Sequence, residues 1–255
     1  MSRRIAAIAI ALCCLGVVGL QFLRLKASNS DAAFYTQRLE SREAATSLRL
    51  NLLSQTSNLG LRNLVADWVY LQFLQYFGSS GERQQMGFEL ADDYFLATIA
   101  NDPRFISAYI SLGIVNSLYA GQPDKSVAIY QQGLKHLQPE LPLSDLVWRF
   151  KAIDELLLLG DTDAAQRSFE QASAWASQQD NPMSERRSKR AAQLARFLAS
   201  NPDSRWVQAS SWRIVLQNTT DLNVQRYAAD RIRQLGGSVE VAPDGSLTVT
   251  MPPEE

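Results

Sequence analysis

Few residues of this 255-residue chain have a type and spacing that could support catalysis or metal binding. Glu89, Asp92 and Asp93 form the closest carboxylate cluster, and Glu89 shares a helix face with one or other aspartate, as a cation site or an acid/base pair would need. Because no glycine-rich calcium loop accompanies them, a solvated helix face is the better interpretation. His136 is the single histidine, so multi-histidine metal sites are excluded. Its position near a predicted helix end favours a terminal or surface role.

The rest of the sequence carries no recognisable catalytic motif. P-loop, GxSxG and HExxH spacings are all missing. Cys13 and Cys14 lie in the apolar N-terminal stretch, so the remainder of the chain can form neither a disulfide nor a thiolate metal site. We therefore predict no catalytic residue, no metal, no cofactor and no small-molecule substrate, and a protein that is not an enzyme. An enzyme subunit or envelope hydrolase with an unrecognised site is the alternative.

Charge is unevenly distributed along the chain. Residues 1–30 hold four of the 25 basic residues and no acid, which leaves 21 bases against all 26 acids in the remainder. Binding to nucleic acid depends on neutralising phosphates, and an acidic domain is unsuited to that. The sequence therefore predicts no nucleic-acid partner.

The N-terminal segment reads as a membrane anchor. Ile5 to Leu23 is an apolar run with one polar residue, and nineteen helical residues span roughly 28 Å, about the hydrocarbon thickness of a bilayer. The run ends in Leu-Arg-Leu-Lys-Ala, without the small residues of a cleavage site, which favours an uncleaved single-pass anchor. Positive charges before the run exceed those after it by one, which points to a domain on the non-cytoplasmic side.

The remaining sequence is helical in pattern almost to its end. Short loops rich in Pro, Gly, Asn and Asp separate the predicted helices, which indicates antiparallel pairs that stack as a solenoid. Alternating residues around Pro243-Asp244-Gly245 predict a hairpin packed on the last helices. The predicted helices are 31–54, 59–77, 82–100, 104–119, 124–137, 143–159, 162–177, 183–199, 203–217 and 220–235.

The predicted fold class is therefore all-α: an N-terminal transmembrane helix followed by an α-solenoid of antiparallel helix pairs, with a small C-terminal β-hairpin. The domain boundaries that we predict are 1–27 for the anchor, 28–57 for a helical stalk or linker, 58–237 for the helical-repeat domain, and 238–255 for the hairpin and acidic tail.

Residues 104–139 resemble a tetratricopeptide repeat. Small side chains at fixed positions let paired helices approach closely, and aromatic side chains fill the space beside them. Residues 146–179 repeat the second-helix pattern, although Ile153 stands where the first helix of the family has a small residue. The positions that carry the resemblance are Tyr109, Leu112, Gly113, Ser126, Tyr130, Gly133, Ala165, Phe169 and Ala172.

The resemblance covers about residues 60–180, and the whole arrangement is similar to membrane-anchored tetratricopeptide-like proteins of bacteria, cyanobacteria among them. It implies a scaffold or assembly factor that binds other proteins, chiefly subunits of a membrane complex. A cyanobacterial relative would lie in the thylakoid or plasma membrane, with a photosynthetic complex as the setting by analogy. A purely structural tether is a further alternative.

Two surfaces are candidates for protein binding. The helix at 59–77 is apolar on more than one face, as expected either of a core helix or of one that packs on the bilayer or a membrane subunit. Its candidate residues are Arg62, Asp67, Trp68, Gln72 and Gln75. A second helix carries a basic run that is either a solvated face or a site for acidic protein segments or lipid headgroups. This basic patch comprises Arg186, Arg187, Lys189, Arg190 and Arg196.

Overall fold

The computed structural model of the protein describes residues 32–55, 60–79, 81, 83, 87–241 and 247–253. The predicted membrane anchor at 5–23 and the predicted hairpin turn at 243–245 lie outside these residues. Within the described ranges, no helix is both long and apolar enough to cross a bilayer. The chain divides into two compact units, Met1–Ala45 and Thr46–Glu255.

The described residues are mostly helical, with a small two-stranded antiparallel sheet, as predicted. The helices are α1 (Ala32–Gln55), α2 (Arg62–Gly78), α3 (Ala91–Asn101), α4 (Ile106–Leu118), α5 (Pro123–Leu134), α6 (Asp145–Asp154), α7 (Thr162–Ala176), α8 (Pro182–Leu198), α9 (Arg205–Asn218) and α10 (Leu222–Gln234). The strands are β1 (Ser238–Val241) and β2 (Leu247–Thr250), which pair with Val239 opposite Val249.

Two helices differ from the prediction. The helix predicted at 82–100 is interrupted: Arg83 is helical, but the helix does not continue through Gly87, and α3 begins only at Ala91. Gly87 has φ of 65°, a left-handed conformation that a right-handed helix cannot continue through. The helix predicted at 143–159 changes type near its end, where Glu155–Leu159 form a π-helical turn that closes on Gly160 in the left-handed conformation.

Consecutive helices from α2 to α8 pack against one another in chain order. The packing of α2, α3 and α4 is largely aromatic, with ring centroids 5.9 Å apart for Phe73 and Tyr94 and 5.7 Å apart for Phe95 and Tyr109. The packing of α6, α7 and α8 depends instead on small side chains, which let these helices lie close together. Its buried alanines are Ala152, Ala165, Ala172, Ala191 and Ala195.

The last two helices do not continue this order. Helix α9 packs on α10, on the π-helical turn and on α4. Trp212 is fully buried in that contact, and its Nε1 donates a hydrogen bond to the carbonyl of Leu158 at 3.2 Å. The hairpin covers the same cluster with Val239 and Val249, so it packs on the last helices as predicted.

Two tyrosine side chains pack reciprocally against two glycines between α4 and α5, each ring against the glycine of the facing helix. A Cβ atom placed on Gly113 would lie 1.8 Å from Tyr130 Oη, and one placed on Gly133 would lie 2.1 Å from Tyr109 Oη. Each glycine therefore provides the space that the aromatic ring of the facing helix occupies. All nine residues that carry the repeat resemblance are buried.

Alanine at Gly113 should lower the free energy of unfolding by ~1–3 kcal/mol, even though alanine is the better helix former by about 1 kcal/mol, because the new methyl group collides with Tyr130. Thermal melting of the full-length protein in mild detergent measures the change. The matched control is Gly78→Ala at the end of α2, where an added Cβ meets no atom within 4 Å. Equal melting midpoints for the two variants would contradict the reciprocal fit.

Candidate protein-binding surfaces

Helix α2 buries one side and leaves the other apolar and uncovered. Its buried residues are Ala66, Val69, Phe73 and Tyr76. The opposite side carries large apolar side chains between 41% and 63% exposed. Their i, i+4, i+7 and i+10 spacing places them on one continuous face. We call this the α2 face, and its large apolar residues are Leu64, Trp68, Leu71 and Leu74.

The structure separates the five residues predicted to bind proteins on this helix. Asp67, Trp68 and Gln75 are exposed and lie on the α2 face. Arg62 points elsewhere and donates a hydrogen bond to the carbonyl of Ala100, at the end of α3. Its role there is to pair a carbonyl that the last turn of a helix leaves free.

The side chain of Trp68 contacts Arg49 of α1. The guanidinium of Arg49 lies 5.1 Å from the centre of the indole ring, close enough for a cation–π contact. The same guanidinium donates a hydrogen bond to Gln72 Oε1 at 3.0 Å. Gln72 therefore holds Arg49 against Trp68, so the orientation of the exposed indole ring is fixed before any partner binds.

The basic patch predicted on α8 is not one surface. Arg186, Arg187 and Arg190 share a side of the helix. With 100° between successive residues, Lys189 and Arg196 lie roughly 120° around the helix from the centre of that side. Lys189 also pairs with Glu185 at 2.6 Å, and both side chains are largely exposed.

Three helices form a groove beside the first three of these arginines. Phe169 and Ala172 of α7 lie at its floor, and Arg149 of α6 faces α8 across it. Its volume is about 190 Å³, smaller than the roughly 300 Å³ at which pockets for drug-sized ligands begin. We call this the arginine groove. It has room for one or two side chains of a partner.

Arg187 is locked into the wall of the groove. Its Nε and Nη2 bind the two carboxylate oxygens of the buried Asp145 at 2.7 and 3.0 Å, and Nη2 also donates to Gln179 Oε1 at 3.0 Å. Asp145 is the acid among the groove-lining residues, and Arg187 neutralises it. Among the described residues, no carboxylate forms an ion pair with Arg149, Arg186 or Arg190, which are exposed. The groove therefore carries three uncompensated positive charges.

The three carboxylates near residue 90 do not converge on one site, because two of them bind other residues. Asp92 pairs with Lys125 at 2.9 Å, and Asp93 accepts a hydrogen bond from Ser47 at 2.5 Å, while Glu89 is exposed. No group of three or more potential metal ligands occurs in the part of the chain that the structure describes. His136 is exposed just beyond the end of α5.

A buried charged network joins α6, the π-helical turn and α7. Lys151 pairs with Glu155, its Nζ donates to Ser168 Oγ at 2.9 Å, and Ser168 in turn donates to Glu155 Oε2 at 2.6 Å. A lysine next to a serine is also a way to activate a nucleophile. Here Ser168 accepts a hydrogen bond from Lys151 and directs its own hydroxyl proton to Glu155, so the lysine is not placed as the base for that serine. The network therefore serves the packing of these helices.

Another buried acid directly precedes Glu155 in the chain. Asp154 accepts a hydrogen bond from Ser117 Oγ at 2.6 Å. Burial raises the pKa of its carboxyl from 3.8 to about 8, the Ser117 bond opposes that shift, and the charge of Glu155 adds to it. Burial and the charge of Asp154 likewise raise the pKa of the Tyr130 hydroxyl.

Sequence reasoning missed Arg149 and the buried acids for the same reason. Arg149 lies 37 residues before Arg186, and a single sequence contains no signal that pairs positions so far apart. Charged residues inside helices are normally assigned to the solvated side. The i, i+4 spacing of Lys151 and Glu155 was the available signal, but exposed pairs such as Glu185 and Lys189 have that spacing too.

Comparisons with protein-family models, curated proteins and solved structures return no match for this chain. The resemblance to tetratricopeptide repeats therefore rests on the residues named above.

Proposed function

We propose that this chain is a non-enzymatic, membrane-anchored scaffold that binds other proteins, as an assembly or maintenance factor of a membrane protein complex. The proposal takes the helix pairs as an α-solenoid of the tetratricopeptide kind. The apolar run at residues 5–23 is its single-pass anchor, with the remaining chain on the non-cytoplasmic side. A cyanobacterial setting would place it in the thylakoid or plasma membrane.

The exposed α2 face is the observation that carries this proposal. Soluble monomers seldom expose several large apolar side chains along one helix face, and such faces mark sites of protein or membrane contact. Trp68 has the character of an interface hot spot, because it is a large aromatic side chain whose orientation Arg49 fixes in advance.

The partner that we propose for this face is an apolar helix surface of an integral membrane subunit. The predicted anchor keeps the domain beside a bilayer, where such surfaces occur. The α2 face offers them apolar side chains at helical spacing, with Asp67 and Gln75 among them for hydrogen bonds.

Trp68→Ala should lower the amount of membrane subunit that co-purifies with the full-length protein by at least tenfold, because it removes the central aromatic contact. The melting midpoint should change little, since Trp68 is 41% exposed. Purification in mild detergent, followed by mass spectrometry of the stoichiometric partners, measures the loss.

The matched control is Trp206→Ala, which removes a tryptophan of similar exposure (39%) from α9. A photo-crosslinking residue at Leu71 should capture the subunit, whereas one at Leu222, exposed on α10, should not. If the protein is isolated as a monomer and Leu71 captures only lipid, the scaffold proposal is wrong. If Trp68→Ala simply melts the domain, α2 is a core helix and the proposed surface is lost.

A further inference from the structure

We propose that the arginine groove of α6, α7 and α8 binds an acidic polypeptide segment that carries a large apolar side chain next to its carboxylates. This inference rests on the proposed scaffold function and names the chemistry of a second contact, separate from the α2 face.

The charges favour an anionic partner. The guanidinium groups of Arg149, Arg186 and Arg190 line the groove without a carboxylate of the described chain in an ion pair with them. The chain beyond residue 30 has an excess of acids, so this positive site is local. Arginine binds carboxylates with two parallel hydrogen bonds, as Arg187 does with Asp145 in the same groove wall.

The apolar lining favours a polypeptide. Phe169 and Ala172 lie at the floor, and Met183 and Leu194 of α8 lie one turn to either side of the arginines. Met183 and Leu194 are 59% and 41% exposed, so apolar surface remains to be covered. A segment that places an apolar side chain between its carboxylates would cover this surface and pair the arginines at once.

The shape of the groove argues against a lipid surface as the primary ligand. A bilayer surface is flat on this scale, whereas Phe169 and Ala172, each only 2% exposed, are recessed relative to the exposed arginines of the groove. The volume of about 190 Å³ accepts a side chain. A membrane could contact the exposed arginines but would leave the floor empty.

Binding of a fluorescent ten-residue peptide that alternates Glu with Leu and Ser tests the proposal. The full-length protein is kept in non-ionic detergent, and fluorescence anisotropy is measured at several salt concentrations. Arg186→Gln/Arg190→Gln should weaken binding at least tenfold and reduce its salt dependence. The matched control is Lys189→Gln/Arg196→Gln, which removes two charges from the same helix outside the groove and should change affinity less than twofold.

Two further arms test the chemistry. A peptide with every Glu replaced by Gln should bind at least tenfold more weakly, and Leu194→Ser should weaken the acidic peptide severalfold. Equal losses in the two charge variants would overturn the inference, because the attraction would then be a general effect of net charge. Strong binding of the Gln peptide would also overturn it.

A membrane arm decides between ligand classes. Vesicles of neutral lipid with one third anionic lipid are tested by flotation with the same variants. Arginine-dependent binding to vesicles without binding to the peptide would assign the groove to lipid and overturn the inference. Recovery of the membrane subunit through Leu71 should be unaffected by Arg186→Gln/Arg190→Gln, so failure of the groove leaves the scaffold function standing.

Discussion

Replacing Asp154 with asparagine should remove the contribution that we expect this carboxyl to make to the pH dependence of stability between pH 3.8 and about 8. The pKa of this carboxyl is raised in the folded protein, chiefly because burial disfavours the charged form. The folded state therefore holds the proton over a pH range in which the unfolded state has lost it.

The sign follows from that difference in bound protons. Below pH 3.8 the carboxyl is protonated in both states and does not affect stability. As the pH rises, unfolding becomes more favourable by up to ~1.4 kcal/mol for each pH unit, until the folded carboxyl also ionises near pH 8. Above that value the loss is constant.

Urea unfolding of the full-length protein in mild detergent, at one-unit intervals from pH 4 to pH 9, measures the effect. The amide of the Asp154→Asn variant keeps an oxygen that can accept the Ser117 hydrogen bond, so the variant should match the wild type near pH 4 and exceed its stability at pH 8 and above. Parallel curves for the two proteins would show that Asp154 is ionised in the folded state throughout, against the effect of its burial.

Replacing Lys151 with methionine should cost ~3–5 kcal/mol, because it leaves the Glu155 carboxylate buried without a positive partner. The matched control is Lys189→Met, which breaks a Lys–Glu pair with the same four-residue spacing at an exposed site. Its melting midpoint should stay within experimental error of the wild type, because water solvates Glu185 when the partner is lost.

A triple variant separates charge from packing at the same site. Lys151→Met/Glu155→Met/Ser168→Ala removes every polar group of the network, and buried ion pairs replaced by apolar groups of similar size often retain their stability. We expect it to recover most of the loss of the single variant, measured by urea unfolding at pH 7. If the triple variant is no more stable than Lys151→Met, then the lost packing of the lysine stem is responsible.

The sequence was sufficient for the helices and for how neighbouring ones pack. Helix positions follow from apolar periodicity and from turn residues, which act within a few residues of themselves. Gly113 and Gly133 predicted close approach between two adjacent helices, and the reciprocal contacts with Tyr130 and Tyr109 match that expectation. The exception near residue 87 arose because a glycine with left-handed φ ends a helix whose sequence otherwise continues.

The candidate sites were predictable only in part. Trp68 was identified from a helix with too much apolar surface for one buried side, and its side chain is indeed exposed. Arg62, chosen from the same helix, pairs a carbonyl of α3 instead. The basic run is visible in the sequence, but which of its members line a groove with Arg149 depends on the packing of α8 against α6 and α7.

What the sequence alone determined was therefore local: the secondary structure, the close pairing of neighbouring helices and an apolar N-terminal run long enough to span a bilayer. Tertiary structure alone decided that α9 packs on α4 and the π-helical turn, that Lys151, Asp154 and Glu155 are buried, and that arginines from two helices share one groove. The physical reason is distance along the chain. Helix formation and turns depend on neighbours, whereas burial of a charge and convergence of side chains depend on contacts between residues tens of positions apart.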